Sequence, residues 1–273
     1  MATTSHASVI LTTYNQPQWL DLVLHAYSLQ QPADFEVVIA DDGSDTPTRK
    51  VVERYQLIFG QRLQHVWQAD EGFQKSRIMN KAIVAARRPY LIFSDGDCLP
   101  QPGFVAIHRQ CARPNRFLSG GYFKLSPPVS QSITKSDIDA GRVFDPAWLA
   151  AQGQPKTYKT LKLTARGATA ALLNALTPAR ASWNGHNSSG WKADIERING
   201  FDERMQYGGQ DRELGERLVN AGVRPTQIRY TTTVVHLEHA RPYRTAQSLG
   251  KNAEIRSATR KNRAVWTDHG IAQ

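Results

Sequence analysis

Three short apolar runs in this chain each end abruptly in a polar cluster, and that pattern restricts the fold more than any other feature. Ser8-Val-Ile-Leu-Thr12 runs into Thr12-Thr-Tyr-Asn15, Phe35-Glu-Val-Val-Ile-Ala40 into Asp41-Asp-Gly-Ser44, and Tyr90-Leu-Ile-Phe93 into Ser94-Asp-Gly-Asp97. Short continuous apolar runs bounded by turn residues read as strands buried on both faces. Helical spacing fills the intervals. Pro17 opens one segment, with Asn15 as its expected cap and Trp19, Leu20, Val23, Leu24 and Tyr27 on one face. Thr46-Pro47 opens a second, with Val51, Tyr55, Ile58 and Phe59 at i, i+4, i+7 and i+8. After a strand signal over Leu63 to Trp67, a third carries Ile78, Met79, Ala82, Ile83 and Ala86. Strands alternating with helices predict right-handed crossovers and an α/β chain with a mostly parallel central sheet flanked by helices. Ligands in such sheets bind beyond the carboxyl ends of the strands, so the three polar clusters are expected on one edge.

The pattern changes after residue 125. Residues 126–180 hold Pro127-Pro128 and seven Lys or Arg (Lys135, Arg142, Lys156, Lys159, Lys162, Arg166, Arg180) against Asp137, Asp139 and Asp145. This stretch reads as a basic insertion or active-site cover, helical in part. Folded signals return over 181–240, with a helix from Asp211 to Ala221 closed by Gly222 and a strand over Tyr230 to Val235. Residues 241–273 form a basic C-terminal extension whose first part, 241–263, reads as a surface helix.

A chain of 273 residues suits one large α/β domain, alone or with a small appendage. Its formal net charge of +10 favours anionic partners: nucleic acid, an acidic membrane surface or a phosphorylated ligand. A solvated basic surface explains the same charge. Cys98 and Cys111 are too few for a disulfide framework. No apolar run approaches the roughly 20 residues of a membrane helix, and Met1 to Ser8 lack the regions of a secretory signal. The expected location is cytoplasmic, with peripheral contact at the inner face of an anionic membrane as a further option.

Asp95 and Asp97, two apart across a glycine, have the spacing of a hard-cation site, and a cation there would hold a diphosphate. Asp41-Asp42-Gly43 also suits a plain strand-to-helix turn. Neither G-x-G-x-x-G nor G-x-x-x-x-G-K-[ST] follows the first strand, which argues against dinucleotide oxidoreductases and P-loop enzymes. Asp211 reads equally as a catalytic carboxylate and as a helix N-terminal acid favoured by the dipole. His236, ending an apolar strand, and His239 are either metal ligands or satisfied residues of the fold.

Taken together, the ordered motifs resemble family 2 glycosyltransferases of the Rossmann-like GT-A fold. The matching pieces are Val9-Ile-Leu-Thr-Thr-Tyr-Asn15, Val38-Ile-Ala-Asp-Asp-Gly-Ser44, Gly72-Phe-Gln-Lys-Ser-Arg77 with Asn80, and Phe93-Ser-Asp-Gly-Asp97. Asn187-Ser-Ser-Gly-Trp-Lys192, Asn199-Gly-Phe-Asp-Glu203 and Gly208-Gly-Gln-Asp-Arg-Glu213 resemble the second half of the family. The branch that includes bacterial chondroitin-type polymerases is particularly similar. The resemblance covers roughly residues 8–240, and implies a nucleotide-binding half over 1–125 and a catalytic half over 181–240. It implies transfer of a Gal, GalNAc, Glc or GlcNAc type sugar from a UDP-sugar to a carbohydrate or glycolipid hydroxyl, with inversion and with Mn2+ or Mg2+.

The same resemblance assigns roles. Thr12, Tyr14, Asp41, Asp42, Arg77, Asn80 and Asp95 fall to the nucleotide, Asn187 and Trp191 to the donor sugar, Asp97 and His236 to the metal, and Asp211 to the general base. Trp183 and His186 are either further sugar contacts or core residues. The family's usual Glu-Asp pair is here Gln210-Asp211, so the first acid is missing. Two other classes fit part of the pattern. A metal-dependent nucleotidyltransferase or phosphohydrolase would also use strand-end acids, although Asp95-Gly-Asp97-Cys98 lacks D-x-D-x-[TV]. A nucleic-acid-binding protein would use the charge, but zinc-finger spacing and RNP-type aromatics are absent from the sequence.

Overall fold

The computed structural model describes residues 6–239 and 245–272. Met1 to Ser5, and the start of the basic extension up to residue 244, lie outside the described residues. The first half alternates as the sequence predicts: β1 (Ala7–Thr13), α1 (Pro17–Ser28), β2 (Glu36–Asp41), α2 (Thr46–Phe59), β3 (Leu63–Trp67), α3 (Lys75–Ala85) and β4 (Tyr90–Asp95). Then come β5 (Cys98–Pro100), α4 (Phe104–Cys111), β6 (Arg116–Ser119) and β7 (Gly121–Lys124). Five short helices follow: α5 (Pro127–Ser132), α6 (Lys135–Asp139), α7 (Pro146–Ala151), α8 (Leu161–Thr164) and α9 (Gly167–Leu176). The remainder is β8 (Ser188–Trp191), α10 (Lys192–Arg197), α11 (Gln210–Asn220), β9 (Arg224–Gln227), β10 (Thr233–His236) and α12 (Ala246–Lys261).

Seven strands form the central sheet in the order β3-β2-β1-β4-β8-β6-β9. The pairings are parallel except where β8 runs antiparallel to both β4 and β6. The strand order reverses at β1, with the chain building outward to β2 and β3 on one side and then crossing to β4 on the other, which opens a crevice beyond the carboxyl ends. Thr12 sits directly opposite Asp95 there. A second sheet, β5-β10-β7, lies beyond that edge.

Period-two alternation explains why the strands are apolar throughout. Val9, Leu11, Val37 and Ile39 face one layer, with Leu20, Val23, Leu24 and Tyr27 of α1. Ile10, Val38 and Ala40 face the other, with Ile78, Met79, Ala82 and Ile83 of α3 and Leu214 and Leu218 of α11. Each such side chain contributes about 1.5–3 kcal/mol when fully buried. The basic stretch over 126–180 is anchored to the first layer by Val129, Ile133, Val143, Leu149 and Leu163.

Several local expectations need correction. Asn15 does not cap α1. The cap is Gln16, held out of helical geometry by Pro17. Asn15 instead ties the first two strand-end loops together, accepting from the Asp45 N–H at 2.8 Å and donating its own N–H to Ser44 Oγ at 2.9 Å. Ile58 is exposed, because the core face of α2 is the narrower line of Val51, Val52, Tyr55 and Phe59. The late strand starts at Thr233 rather than Tyr230, since Thr231 and Thr232 turn back to bond the Ile228 carbonyl. No described helix is long and apolar enough to cross a membrane.

Candidate active site

One cleft of about 1710 Å³ opens over the carboxyl ends of β1, β2 and β4 and continues under the basic cover. Its first wall is built from strand ends. Thr12 Oγ1 donates to Asp95 Oδ1 at 2.6 Å, and Lys75 Nζ donates to the same oxygen at 2.6 Å. Burial alone would raise the Asp95 carboxyl, but the Lys75 ammonium outweighs it and holds the group low. Burial opposes the charge on Lys75 too, yet Asp95, Asp211 and Asp97 together keep its pKa raised. Asp42 accepts from the Gln74 N–H at 2.9 Å and from Gln68 Nε2 at 2.7 Å. Burial nevertheless pushes its carboxyl up to about 6. Tyr14 lines the same wall and donates its hydroxyl to Asp70 Oδ2 at 2.7 Å.

Asp97 stands where the two sheets meet. The turn that presents it is pressed on β1: the Gly96 N–H donates to the Thr12 carbonyl at 2.7 Å, and a Cβ on Gly96 would approach that oxygen to 2.9 Å. Two imidazoles converge on one carboxylate oxygen. His239 Nε2 is 2.7 Å from Asp97 Oδ2, His236 Nε2 is 3.5 Å from it, and the rings stack 6.0 Å apart. Despite burial, the His239 hydrogen bond and both imidazoles hold Asp97 well below the usual carboxylate range. Asp97, His236 and Cys98 offer donor atoms within 4.8 Å of one another, close enough for one ion. Burial and the neighbouring Asp97 keep the Cys98 thiol protonated, and it donates to Asp97 Oδ1 at 3.2 Å. The Asp97 carboxylate and the His236 imidazole are donor types that a divalent cation accepts.

Asp211 faces the cleft from the first turn of α11, after Gly208 and Gly209 at φ 108 and 90. Its Oδ1 is buried and has no hydrogen-bond partner among the described residues. Burial raises its carboxyl, Lys75 pulls the other way, and Asp95 adds to the rise. Gly185 makes room for it, since a Cβ there would come within 2.9 Å of Asp211 Oδ1. Gln210, in place of the family's first acid, uses Oε1 to accept from the Gly208 N–H at 2.9 Å, so this side chain supports the turn. Beneath, Glu213 and Arg217 form a fully buried pair at 2.8 Å. Arg217 also donates to the Gly200 carbonyl, and Thr259 of α12 donates to Glu213.

Thr12, Tyr14, Asp42, Asp95, Asp97, Asp211 and His236 thus share the cleft. Five other expected contacts do not line it. Asp41 is buried behind the loop, accepting from the Ser44 N–H and meeting His65 at 2.9 Å, because successive residues at a strand end face opposite ways. Arg77 points outward to Glu71 at 3.0 Å. Asn80 is buried against Phe201 and Glu203. Asn187 is buried on His108 Nε2 and the Gly121 carbonyl. Trp191 packs on Tyr90 and donates Nε1 to the Arg113 carbonyl. Trp183 and His186 both border the cleft, Trp183 fully buried against Phe93 and Phe117 and His186 beside Tyr122. The residue that sequence reasoning overlooked is Lys75. Its signal was present: 75, 78, 79 and 82 form one helical stripe, so Lys75 shares the inward face of α3 while Arg77 lies off it.

This architecture, with acids at strand ends and a cation-ready pair beside a second sheet, is that of the GT-A glycosyltransferases. Residues 8–110 match Glycosyl transferase family 2, and residues 179–240 match a family described as the N-terminal domain of galactosyltransferase. Validoxylamine A glucosyltransferase from Streptomyces hygroscopicus subsp. limoneus is 32% identical over 83% of this chain and 51% of its own length. Chondroitin synthase from Escherichia coli is 23% identical over 93% of this chain and 38% of its own length. The chain thus spans about half or less of these relatives. Among solved structures, S. aureus TarS 1-349 in complex with UDP-GlcNAc aligns with a TM-score of 0.63 at 15% identity, over 98% of this chain and 68% of that one. The mannosyltransferase PcManGT from Pyrobaculum calidifontis, in complex with GDP-Man and Mn2+, gives 0.56 at 17%, over 94% and 62%. At these identities the structural likeness speaks for the fold. The chain belongs to the family 2 glycosyltransferases.

Proposed function

We propose that this chain is an inverting, metal-dependent glycosyltransferase that moves a hexosyl or N-acetylhexosaminyl group from a UDP-sugar to a hydroxyl of a carbohydrate or glycolipid. The observation that carries this reading is the half-buried Asp211 carboxylate, whose Oδ1 is buried and unpartnered among the described residues, in the same cleft as the strand-end acids. A general base for glycosyl transfer needs that combination: raised basicity and an oxygen free to accept a proton. Asp211 takes the proton of the acceptor hydroxyl as that oxygen attacks the anomeric carbon. The bond from the anomeric carbon to the diphosphate breaks on the opposite face, so configuration inverts.

The strand-end wall receives the nucleotide. Asp42 accepts from the uracil N–H, Tyr14 lies along the base, and Asp95, fixed by Thr12 and Lys75, faces the ribose. Asp97 and His236 hold Mn2+ or Mg2+, which when bound supplies positive charge to the leaving diphosphate. The like-folded TarS, in complex with UDP-GlcNAc, and PcManGT, in complex with GDP-Man and Mn2+, support a nucleotide-sugar donor and a divalent cation. In this reading residues up to 125 form the nucleotide half, 126–180 the cover, 181–240 the catalytic half, and the C-terminal helix braces α11. The basic surface suits a peripheral place on an anionic membrane face.

Calorimetric titration with UDP tests the reading, with Mn2+ and with excess chelator, on the wild type and on Asp97→Ala. Tight binding that needs Mn2+ and weakens at least about tenfold in the variant is expected. Equal binding without metal and in the variant removes Asp97 from its role, and release of a nucleoside monophosphate during turnover refutes the reaction class.

A further inference from the structure

The far end of the cleft carries charge that the strand-end wall does not use. Lys159, Lys162 and Arg229 all line it, and among the described residues none of the three has a carboxylate partner. Glu238, an acid on the same side, is already bridged by Lys124 at 2.9 Å. Two of the three, Lys162 and Arg229, are half-buried and fixed by the fold, and Lys159 is exposed beside them. Lys162 Nζ donates to the Tyr122 carbonyl at 3.0 Å and lies 5.2 Å from the Tyr122 ring centroid. Arg229 is set beside the same residue because Gly121 has no side chain, and a Cβ there would collide with the Arg229 carbonyl. Asn174 of α9 locks the adjoining turn, accepting from the Tyr230 N–H at 2.9 Å and donating to Thr231 Oγ1 at 2.8 Å. Burial, with Arg229 and Lys159 close by, brings Lys162 down to about 8. Crowding three like charges in a partly desolvated place is unfavourable unless an anion enters.

Position says which substrate brings the anion. Tyr122 carries Lys162 on one side and, at 4.6 Å between ring centroids, His186 on the other. His186 in turn feels Asp95, His236 and Asp97. The cluster, on the cover and on the turn before β10, is therefore linked through Tyr122 and His186 to the neighbourhood of Asp95 and Asp97, whereas Thr12, Tyr14 and Asp42 come from the strand ends of β1 and β2. We propose that Lys159, Lys162 and Arg229 form an acceptor subsite for an anionic group, a sugar carboxylate or a phosphate. The proposal rests on the glycosyltransferase reading and narrows it to acidic acceptors.

The test is competition-free calorimetry on the protein loaded with Mn2+ and UDP, with methyl β-glucuronide, glycerol 3-phosphate and methyl β-glucoside as probes. At least one anionic probe should bind about tenfold more tightly than the neutral glucoside, the worth of a charge-assisted hydrogen bond. Which of the two does so separates a sugar acid from a phosphate. In the double variant Lys162→Gln, Arg229→Gln that preference should vanish while UDP affinity stays within about twofold, and retained UDP binding shows that the variant is folded. A preference that survives the double variant overturns the proposal, as does equal binding of all three probes by the wild type. A large loss of UDP affinity in the variant also overturns it, by assigning the cluster to the donor. Failure of the wild type to bind UDP overturns the underlying reading as well.

Discussion

The two walls of the cleft differ in how completely their polar groups are satisfied. On the strand-end wall Thr12, Asp95 and Lys75 close on one another, and Asp42 is held by Gln74 and Gln68. Elsewhere in the cleft, Asp211 Oδ1 on α11 has no partner among the described residues, and Lys159, Lys162 and Arg229 have no carboxylate, Lys162 resting on the Tyr122 carbonyl. A satisfied wall is rigid and recognises a ligand by shape. Unsatisfied polar groups store an electrostatic cost that a bound ligand relieves. Lys75 belongs to both, since its ammonium sits on Asp95 and acts on Asp211 across the gap.

Removing the unsatisfied carboxylate should have the largest effect. Asp211→Asn is expected to lower kcat by about 10²–10⁴-fold while leaving UDP affinity unchanged. In the wild type, kcat/KM should fall as pH drops through the raised Asp211 pKa, because only the carboxylate accepts a proton. An activity that persists in the variant, or an acid limb that survives it, would dissolve the contrast between the walls.

The reactive wall also depends on what lies beneath it. Arg217→Ala strands Glu213 as an unpaired buried charge and frees the carbonyls that Arg217 binds. A loss of about 3–5 kcal/mol is expected in chemical denaturation. A loss below about 1 kcal/mol would mean that α11 is held by its apolar face alone.

Lys75→Met sharpens the comparison from the other side. It should cost about 1–3 kcal/mol near pH 7, since Asp95 keeps only Thr12. The paired Asp95 has its pKa depressed, so its stabilisation is present above the unfolded value near 4 and lost as pH falls below it. The difference between wild type and variant should therefore shrink in acid. The same substitution should move the acid limb of kcat/KM upward, because Lys75 now holds the Asp211 pKa down. A fixed limb would show that the walls do not communicate.

Much of this was legible in the sequence, for a stateable reason. Buried parallel strands must be apolar along their whole length, so Asp42, Asp95 and Asp97 stand out at their ends, and the sheet brings those ends together. The first four strands and three helices lie where periodicity puts them. Strand parity, by contrast, was not applied to Asp41 and Asp42, and helical parity was not applied to Lys75 and Arg77. Both would have sorted the inward residue from the outward one. Asn80, Asn187 and Trp191 lie off the cleft on structural hydrogen bonds, and a buried hydrogen-bonding residue and a ligand contact use the same residue types. Of the β5-β10-β7 sheet the sequence signals only β10, since β5 and β7, of three and four residues, carry too few positions for a period.

That small sheet has one more consequence. His236 lies directly opposite Cys98 on the β5–β10 ladder, and the Leu237 N–H donates to the Asp97 carbonyl at 2.9 Å. Asp97 and His236 are therefore neighbours on one backbone scaffold, although 139 positions separate them along the chain. Their spacing is written in main-chain geometry and is indifferent to side-chain drift in the loops around it. The two side chains are thus held at a fixed separation by the ladder itself, whatever occupies the space between them.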